Sequence, residues 1–363
     1  MSAHVSVDEL CVPPELGLID AMKRLDETGY RVLLVVDDKR RLLGVLTDGD
    51  LRRYILRTGQ LDGRLQDAYN PHPIFLTQAN FSEARAKRVL LEHHIDVLPI
   101  VDDMGRVVDI VTWADLFGRD VPREVPPEER IHIPVVIMAG GRGTRLQPFT
   151  HVLPKPLIPV GEKPIVEHIM DHFHRYGVEQ FYLTLNYKGE MIEAYFRGRR
   201  DLPYRVEFVW EEDFWGTAGS LKLLEDRIQD DFIVSNCDVI VRAHYGHVLR
   251  HHRERRAALT SLTSIQHHRI PYGVVHIREG GEITGLEEKP EYTFPINTGV
   301  YVINPRALAY IPERQAFDMT DLINALLRAR QRVLAYPVSE RDFVDVGQWD
   351  AYREAARKLS WLL

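Results

Sequence analysis

Cysteine is nearly absent. Cys11 and Cys237 are the only two in 363 residues, and they form neither a C-x-x-C pair nor a zinc spacing. No disulfide framework is implied, which fits a reducing compartment. Long apolar runs are missing too: no window approaches the ~18 unbroken apolar residues of a spanning helix, so no membrane partner is expected. The opening "MSAHVSVDEL" lacks the basic n-region and apolar core of a signal peptide, and a cytoplasmic protein is expected. Basic charge is in deficit, with 46 Lys and Arg against 53 Asp and Glu, a net charge of −7. General nucleic-acid binding needs the opposite, a cationic surface that releases counterions. The local clusters "RGRR" (197–200) and "RHHRERR" (250–256) read as solvated faces.

What is present points to two domains, since domains usually run to about 100–200 residues. The first third repeats itself. "LLVVDDKRRLLGVLTDGDL" (33–51) aligns without a gap on "LPIVDDMGRVVDIVTWADL" (98–116), at a constant offset of 65 residues. Each copy has a helical stretch, a strand ending in Asp-Asp, a turn, a second strand, and Thr-x-x-Asp-Leu opening a helix. Two copies are too few for a solenoid and predict a pair that closes on itself.

"GVLTDGDL" and "DIVTWADL" resemble the G-x-x-T-x-x-D-L pattern of tandem CBS domains, except that Asp109 replaces the glycine in the second copy. The resemblance implies a regulatory unit over residues 1–120, with an adenosine nucleotide facing Thr47, Asp50, Thr112 and Asp115. A carboxylate can accept both ribose hydroxyls, and a helix N-terminus favours phosphate. The same Thr-x-x-Asp spacing also caps a helix start with no ligand at all. CBS pairs often associate face to face, so a homo-oligomer is expected.

A linker is expected at 121–132, within the four-proline stretch "GRDVPREVPPEERIHIP". From 133 to 363 apolar strands alternate with helical patterns, the sign of an α/β layered sheet. Its first strand, "IPVVIMAGG", runs into Gly140, Gly141 and Gly143, followed by Thr144 and Arg145. Walker A would require Gly-Lys-Ser/Thr, which is absent. The dinucleotide fingerprint would require a glycine where Leu146 stands. Glycines still let backbone N–H groups approach a nucleotide, and Arg145 and Lys155 can neutralise its phosphates.

"MAGGRGTRLQPFTHVLPKPLIPVGEKPIVEH" closely resembles the signature of sugar-phosphate nucleotidyltransferases. That family implies a Rossmann-like, GT-A-like mixed sheet flanked by helices. It also implies attack of a sugar-1-phosphate on the α-phosphorus of a nucleoside triphosphate, expelling pyrophosphate. Two polyanions must meet, so Mg²⁺ and cations matter more than a general base. The resemblance puts Ala139, Gly140, Gly141, Gly143 and Thr144 on the nucleotide, Arg145 and Lys155 on the reacting phosphates, and Asp238 and Asp345 on Mg²⁺. Gly216 and Thr217 of "GTAG" belong to the base side, where Glu211, or Glu212, faces the base. On the sugar side it implies Gly273, Glu288, Lys289 and Asn297. Alone, Asp238 and Asp345 would read as turn or capping residues.

A carboxylate accepts guanine N1–H and N2–H₂ well, which favours GTP; it also accepts uracil N3–H, which leaves UTP open. The architecture resembles guanylyltransferases that activate glucosamine-1-phosphate for bacterial nonulosonic (legionaminic) acid synthesis. A mannose or heptose phosphate, or a non-catalytic sensor on the same fold, stays open as well. His168, His172 and His174 cluster on a predicted helix, but Glu167 precedes His168, so His-Glu-x-x-His is not formed. Surface histidines are expected there.

Overall fold

The structure is a computed structural model that describes residues 7–93, 95, 97–112, 115–116, 125, 127–347 and 352–353. The chain divides into two compact units: Met1–Pro122 with Ile265–Ile296, and Arg123–Ser264 with Asn297–Leu363. Of the expected linker, residues 121–124 and 126 lie outside the described residues; Pro127–Glu129 form a 3-10 turn. Among the described residues no helix is long and apolar enough to cross a membrane.

In the first unit, β1 (Cys11–Val12), β2 (Val32–Val36) and β3 (Leu42–Thr47) make one three-stranded sheet. β4 (Leu76–Thr77), β5 (Val97–Val101) and β6 (Val107–Thr112) make another. The central strands, "VLLVV" and "VLPIV", are buried at every position. Unbroken apolar runs are what a strand covered on both faces requires. The repeat extends to the pairing itself: Val32 opposes Thr47 as Val97 opposes Thr112, and both ladders bulge at the same place, Val35/Val36 and Ile100/Val101. Asp37 accepts the N–H groups of Lys39 and Arg41, and Asp102 those of Met104 and Arg106, closing equivalent turns. The copies meet through these turns, where Leu42 N–H donates to Gly105 O and Val107 N–H to Arg40 O, each at 3.0 Å. Leu10, Leu34, Val36, Val101 and Val107 form a shared core beneath.

The second unit is built on a mixed sheet. Its strands are β7 (Val135–Met138), β10 (Gln180–Leu185), β11 (Arg205–Trp210), β12 (Phe232–Asn236), β14 (Leu259–Arg269), β17 (Glu291–Ile303) and β18 (Val333–Ser339). Short pairs β8 (Pro159–Val160) with β9 (Lys163–Pro164), and β13 (Val239–Val241) with β19 (Phe343–Asp345), flank it. The order is β11-β10-β7-β12-β17-β14-β18, with β7, β10, β11 and β12 parallel and β17 antiparallel to β12. Val136, Tyr182, Phe232, Val234, Tyr301 and Leu322 anchor its core. The chain leaves β7 toward β10 and later returns to the other side of β7 with β12. Strand direction is thus shared where the connections diverge, which opens a crevice at the carboxyl ends of β7 and β12.

β14 and β17 run on beyond this sheet. Their far ends, with β15 (Val274–Ile277) and β16 (Ile283–Glu287), make an arm that belongs to the first unit.

The histidine expectation is corrected. In the helix Ile165–Arg175, His168 and His172 are buried rather than on the surface. His172 Nε2 lies 3.0 Å from Val241 O, and Arg175 donates to its Nδ1, so Nε2 carries the proton. Burial pushes the ring down to about 3, so it stays neutral. His168 Nε2 meets Val160 O at 2.8 Å. A backbone carbonyl thus meets Nε2 of each ring.

The glycine missing from the second copy also has a physical account. A Cβ on Gly44 would lie 2.3 Å from the Tyr69 ring and 2.4 Å from Asn70 O, because Val45 bridges to Asn70. Its counterpart Asp109 is exposed, so a side chain is accommodated. Gly44→Ala should therefore destabilise the protein by about 1–3 kcal/mol, while Asp109→Gly should change it by less than about 1 kcal/mol. Urea midpoints of the two variants decide this, and equal effects would contradict it.

Candidate active site

The crevice collects side chains from three chain segments. β7 ends at Met138 and the glycine loop follows. Ala139 is fully buried and donates its N–H to Thr184 O at 3.1 Å, tying the loop to β10. A side chain on Gly140 would strike Glu211 Oε1 at 2.8 Å, whereas Gly141 faces open space. Gly143 adopts φ +62°, a conformation suited to glycine, and a Cβ there would meet Lys155 Cβ at 2.8 Å. The loop therefore lies directly against the residue that supplies the second cation. Thr144 and Arg145 begin a 3-10 turn behind it.

Asp238 follows β12 and is almost wholly buried. Lys155, with its side chain only 13% exposed, donates a short hydrogen bond to Asp238 Oδ2. The Arg145 guanidinium reaches within 3.9 Å of the same oxygen and is otherwise exposed. Asp345 ends β19, which pairs antiparallel with β13; Val239 opposes Asp345, and Val346 N–H donates to Asp238 O at 2.9 Å. Burial, and then the neighbouring Asp238 carboxylate, push Asp345 up from the usual carboxylate range. Arg145, Lys155, Asp238 and Asp345 are thus brought together as two cations facing two carboxylates.

Gly347 is a residue that sequence reasoning missed. A Cβ there would fall 2.0 Å from Asp238 Oδ2 and 2.9 Å from Asp345 Oδ1, so only glycine leaves both carboxylates room. The signal was the glycine two residues after Asp345 in "DVGQWD". Among the described residues no group of three or more His, Cys, Asp or Glu could hold a metal ion. The pair of carboxylates, Asp238 and Asp345, still fits Mg²⁺, which binds one or two carboxylates and completes its shell with water and substrate phosphates.

Glu211 is nearly buried. Its Oε2 accepts the Trp215 N–H at 3.1 Å, and Asn186, another residue the sequence reading passed over, donates to its backbone carbonyl at 3.3 Å. Burial raises the carboxyl to about 7, with the Trp215 hydrogen bond opposing. Glu212 is exposed, 3.9 Å from Arg314, so of the two it is Glu211 that lies against the glycine loop. Gly216 has φ +76° and packs on Asp318 and Phe317. Thr217 is engaged in the scaffold: its N–H and hydroxyl meet Asp318 Oδ1, and its Oγ1 accepts the Met319 N–H at 2.8 Å. Asn297 is engaged similarly, donating to the Tyr301 hydroxyl at 2.6 Å and accepting from Ser261 and Gly299.

The remaining sugar-side residues sit together on the arm. A Cβ on Gly273 would meet Glu288 Oε2 at 3.2 Å, and Lys289, at φ +47°, holds its exposed ammonium 3.9 Å from Glu288. In the first unit, Thr47 and Asp50 form a capping box, Asp50 also pairing with Arg53. Thr112 and Asp115 repeat the hydrogen bonds of the box. Asp50, Arg53, Tyr54, Arg57, Asp67 and Tyr69 line a cavity of about 570 Å³.

A model of the family "Nucleotidyl transferase" matches residues 134–360, and the CBS domain model matches residues 3–57 and 72–121. A UTP–glucose-1-phosphate uridylyltransferase of Synechocystis is 30% identical over 241 residues, 61% of this chain and 62% of that protein. A mannose-1-phosphate guanyltransferase of Yarrowia lipolytica is 33% identical over 220 residues, 59% and 60% of the two chains. The chain thus spans about three fifths of the length of these relatives. A D-glycero-alpha-D-manno-heptose 1-phosphate guanylyltransferase of Aneurinibacillus thermoaerophilus is 28% identical, over 62% of this chain and 97% of that one. The crystal structure of HddC from Yersinia pseudotuberculosis superposes with a TM-score of 0.50 at 26% identity, over 62% of this chain and 99% of that one. A second structure of it is complexed with GMP-PN.

Gly347→Ala should lower turnover by about 100-fold, since small displacements of reacting groups have effects of that size. Its thermal midpoint should fall as well, since a Cβ there overpacks the buried Asp238, while the far-UV circular dichroism stays the parent's. Turnover within a few-fold of the parent would show that the carboxylates do not need the space.

Proposed function

Because the chain belongs to the nucleotidyl transferase family and carries tandem CBS domains ahead of that region, we propose that it makes a nucleotide sugar. In this reading a sugar-1-phosphate oxygen bonds to the α-phosphorus of a nucleoside triphosphate. The bond from that phosphorus to the bridging oxygen breaks, and pyrophosphate leaves with the electron pair. The observation that carries the reading is the meeting of the glycine loop, Lys155, Asp238 and Asp345 at one crevice. Backbone N–H groups of Gly140, Gly141 and Gly143 cradle phosphate oxygens that a side chain would keep away. Lys155, pre-positioned by Asp238, and Arg145 neutralise charge that grows on the α-phosphoryl and leaving groups. Asp238 and Asp345 would hold Mg²⁺, which supplies Lewis-acid stabilisation of those phosphates. Lys289 would bind the sugar phosphate, with Glu288 on sugar hydroxyls. An adenosine nucleotide would face Thr47, Asp50, Thr112 and Asp115, of which Asp50 lines the cavity.

GTP is the favoured donor. Glu211 offers a carboxylate beside the loop, suited to two guanine donors, and guanylyltransferases are among the relatives. Glucosamine-1-phosphate, in a legionaminic acid route, is the proposed acceptor. The uridylyltransferase relative favours a second reading, UTP with the same chemistry.

Pyrophosphate release with Mg²⁺, crossing five nucleotides with a panel of sugar-1-phosphates, tests the reading. Turnover with GTP and one amino sugar is expected; UTP preference would overturn the donor assignment. Asp238→Asn should abolish turnover without unfolding the protein. Only the ionised Glu211 can accept from both guanine donors at once, and its carboxyl is raised to about 7, so the KM for GTP should rise as the pH falls from 8 through 7 to 6. Glu211→Gln should flatten that dependence and cut GTP preference by about 10-fold or more. A pH dependence unchanged in the variant would remove Glu211 from the base pocket.

A further inference from the structure

The arm has no core of its own. Val275, Ile277, Ile283 and Leu286 are all exposed on β15 and β16, where Val275 pairs with Leu286 and Ile277 with Ile283. A two-stranded hairpin is marginal alone, so its orientation depends on what grips its root. The root is gripped by the helix Leu18–Thr28 of the first CBS copy. Leu18, Ala21, Met22 and Leu25, spaced as one helical stripe, are buried in a core that Ile265 of β14 joins.

Polar contacts repeat the grip on both strands. Lys23 Nζ lies 2.7 Å from Glu291 Oε2, at the start of β17. Asp26, three residues further along the helix, lies 3.9 Å from His267 Nε2, and the other nitrogen of that ring meets Thr293 Oγ1 at 2.8 Å. Ile265 and His267 are two residues apart, as are Glu291 and Thr293, so each strand turns one face to the helix. The strand that enters the arm is therefore fixed to the CBS copy before Gly273, and the strand that leaves it is fixed just after Glu288 and Lys289.

We propose that the Leu18–Thr28 helix sets the position of the arm, with Lys23, Glu291 and Ile265 acting as positioning residues for the sugar-phosphate group. This rests on the reading of Glu288 and Lys289 as sugar-side residues. None of the three touches substrate; they act through the arm. The regulatory pair thereby has a direct mechanical hold on acceptor binding rather than on the nucleotide loop.

The test is charge reversal in the full chain. Lys23→Glu and Glu291→Lys should each raise the KM for the sugar-1-phosphate about 5-fold or more, leaving kcat and the KM for the nucleotide within about twofold. The double variant, which restores an ion pair of opposite polarity, should return toward the parent. Hydrogen exchange over residues 270–290 should quicken in each single variant and recover in the double. Unchanged exchange in the single variants would overturn the grip itself. Quickened exchange with an unchanged acceptor KM would overturn the positioning role. Should no sugar-1-phosphate be turned over at all, the functional reading fails, while the exchange result still decides whether the helix holds the arm.

Discussion

The buried meeting of Lys155 with Asp238 organises the second unit. A carboxylate as deeply buried as Asp238 needs a cation, and an ammonium that loses water needs an anion in return. Such pairs add little net stability, but they fix where both groups stand. The pair connects the loop after β7 to the end of β12, the two strands between which the connections diverge. Gly143 must be glycine because Lys155 lies against it, and Gly347 because Asp238 and Asp345 do. The geometry of the phosphate side follows from that one contact and the space left around it.

Much of this was legible in the sequence because residue identity carried it. The glycines after a β-branched strand, Arg145, Lys155, and the aspartates after two apolar runs could be named before any coordinates. The 65-residue repeat was equally plain and reappears as matched strand registers and bulges. What sequence spacing did not reveal was long-range partnership. Thr217 and Asn297 fall in recognisable motifs, yet their polar groups satisfy Asp318, Met319, Tyr301 and Ser261. His168 and His172 read as surface residues because nothing local signals that carbonyls from Val160 and Val241 will meet them. The hold of Lys23 on Glu291, 268 residues away, had no local signal at all.

The fold separates two tasks. Groups assigned to the nucleotide phosphates sit in the loop and 3-10 turns that follow β7, just past the end of β12, and on the short β19. Those assigned to the acceptor phosphate sit on a hairpin whose root is packed with the repeat.

The most direct measurement is equilibrium binding of GTP with Mg²⁺, without sugar, to the parent and to Lys155→Met. If Lys155 is the cation that meets the triphosphate, the variant should bind GTP at least about 10-fold more weakly, and the loss should shrink from triphosphate to diphosphate to monophosphate. Equal affinity for GTP in the two proteins would contradict the account.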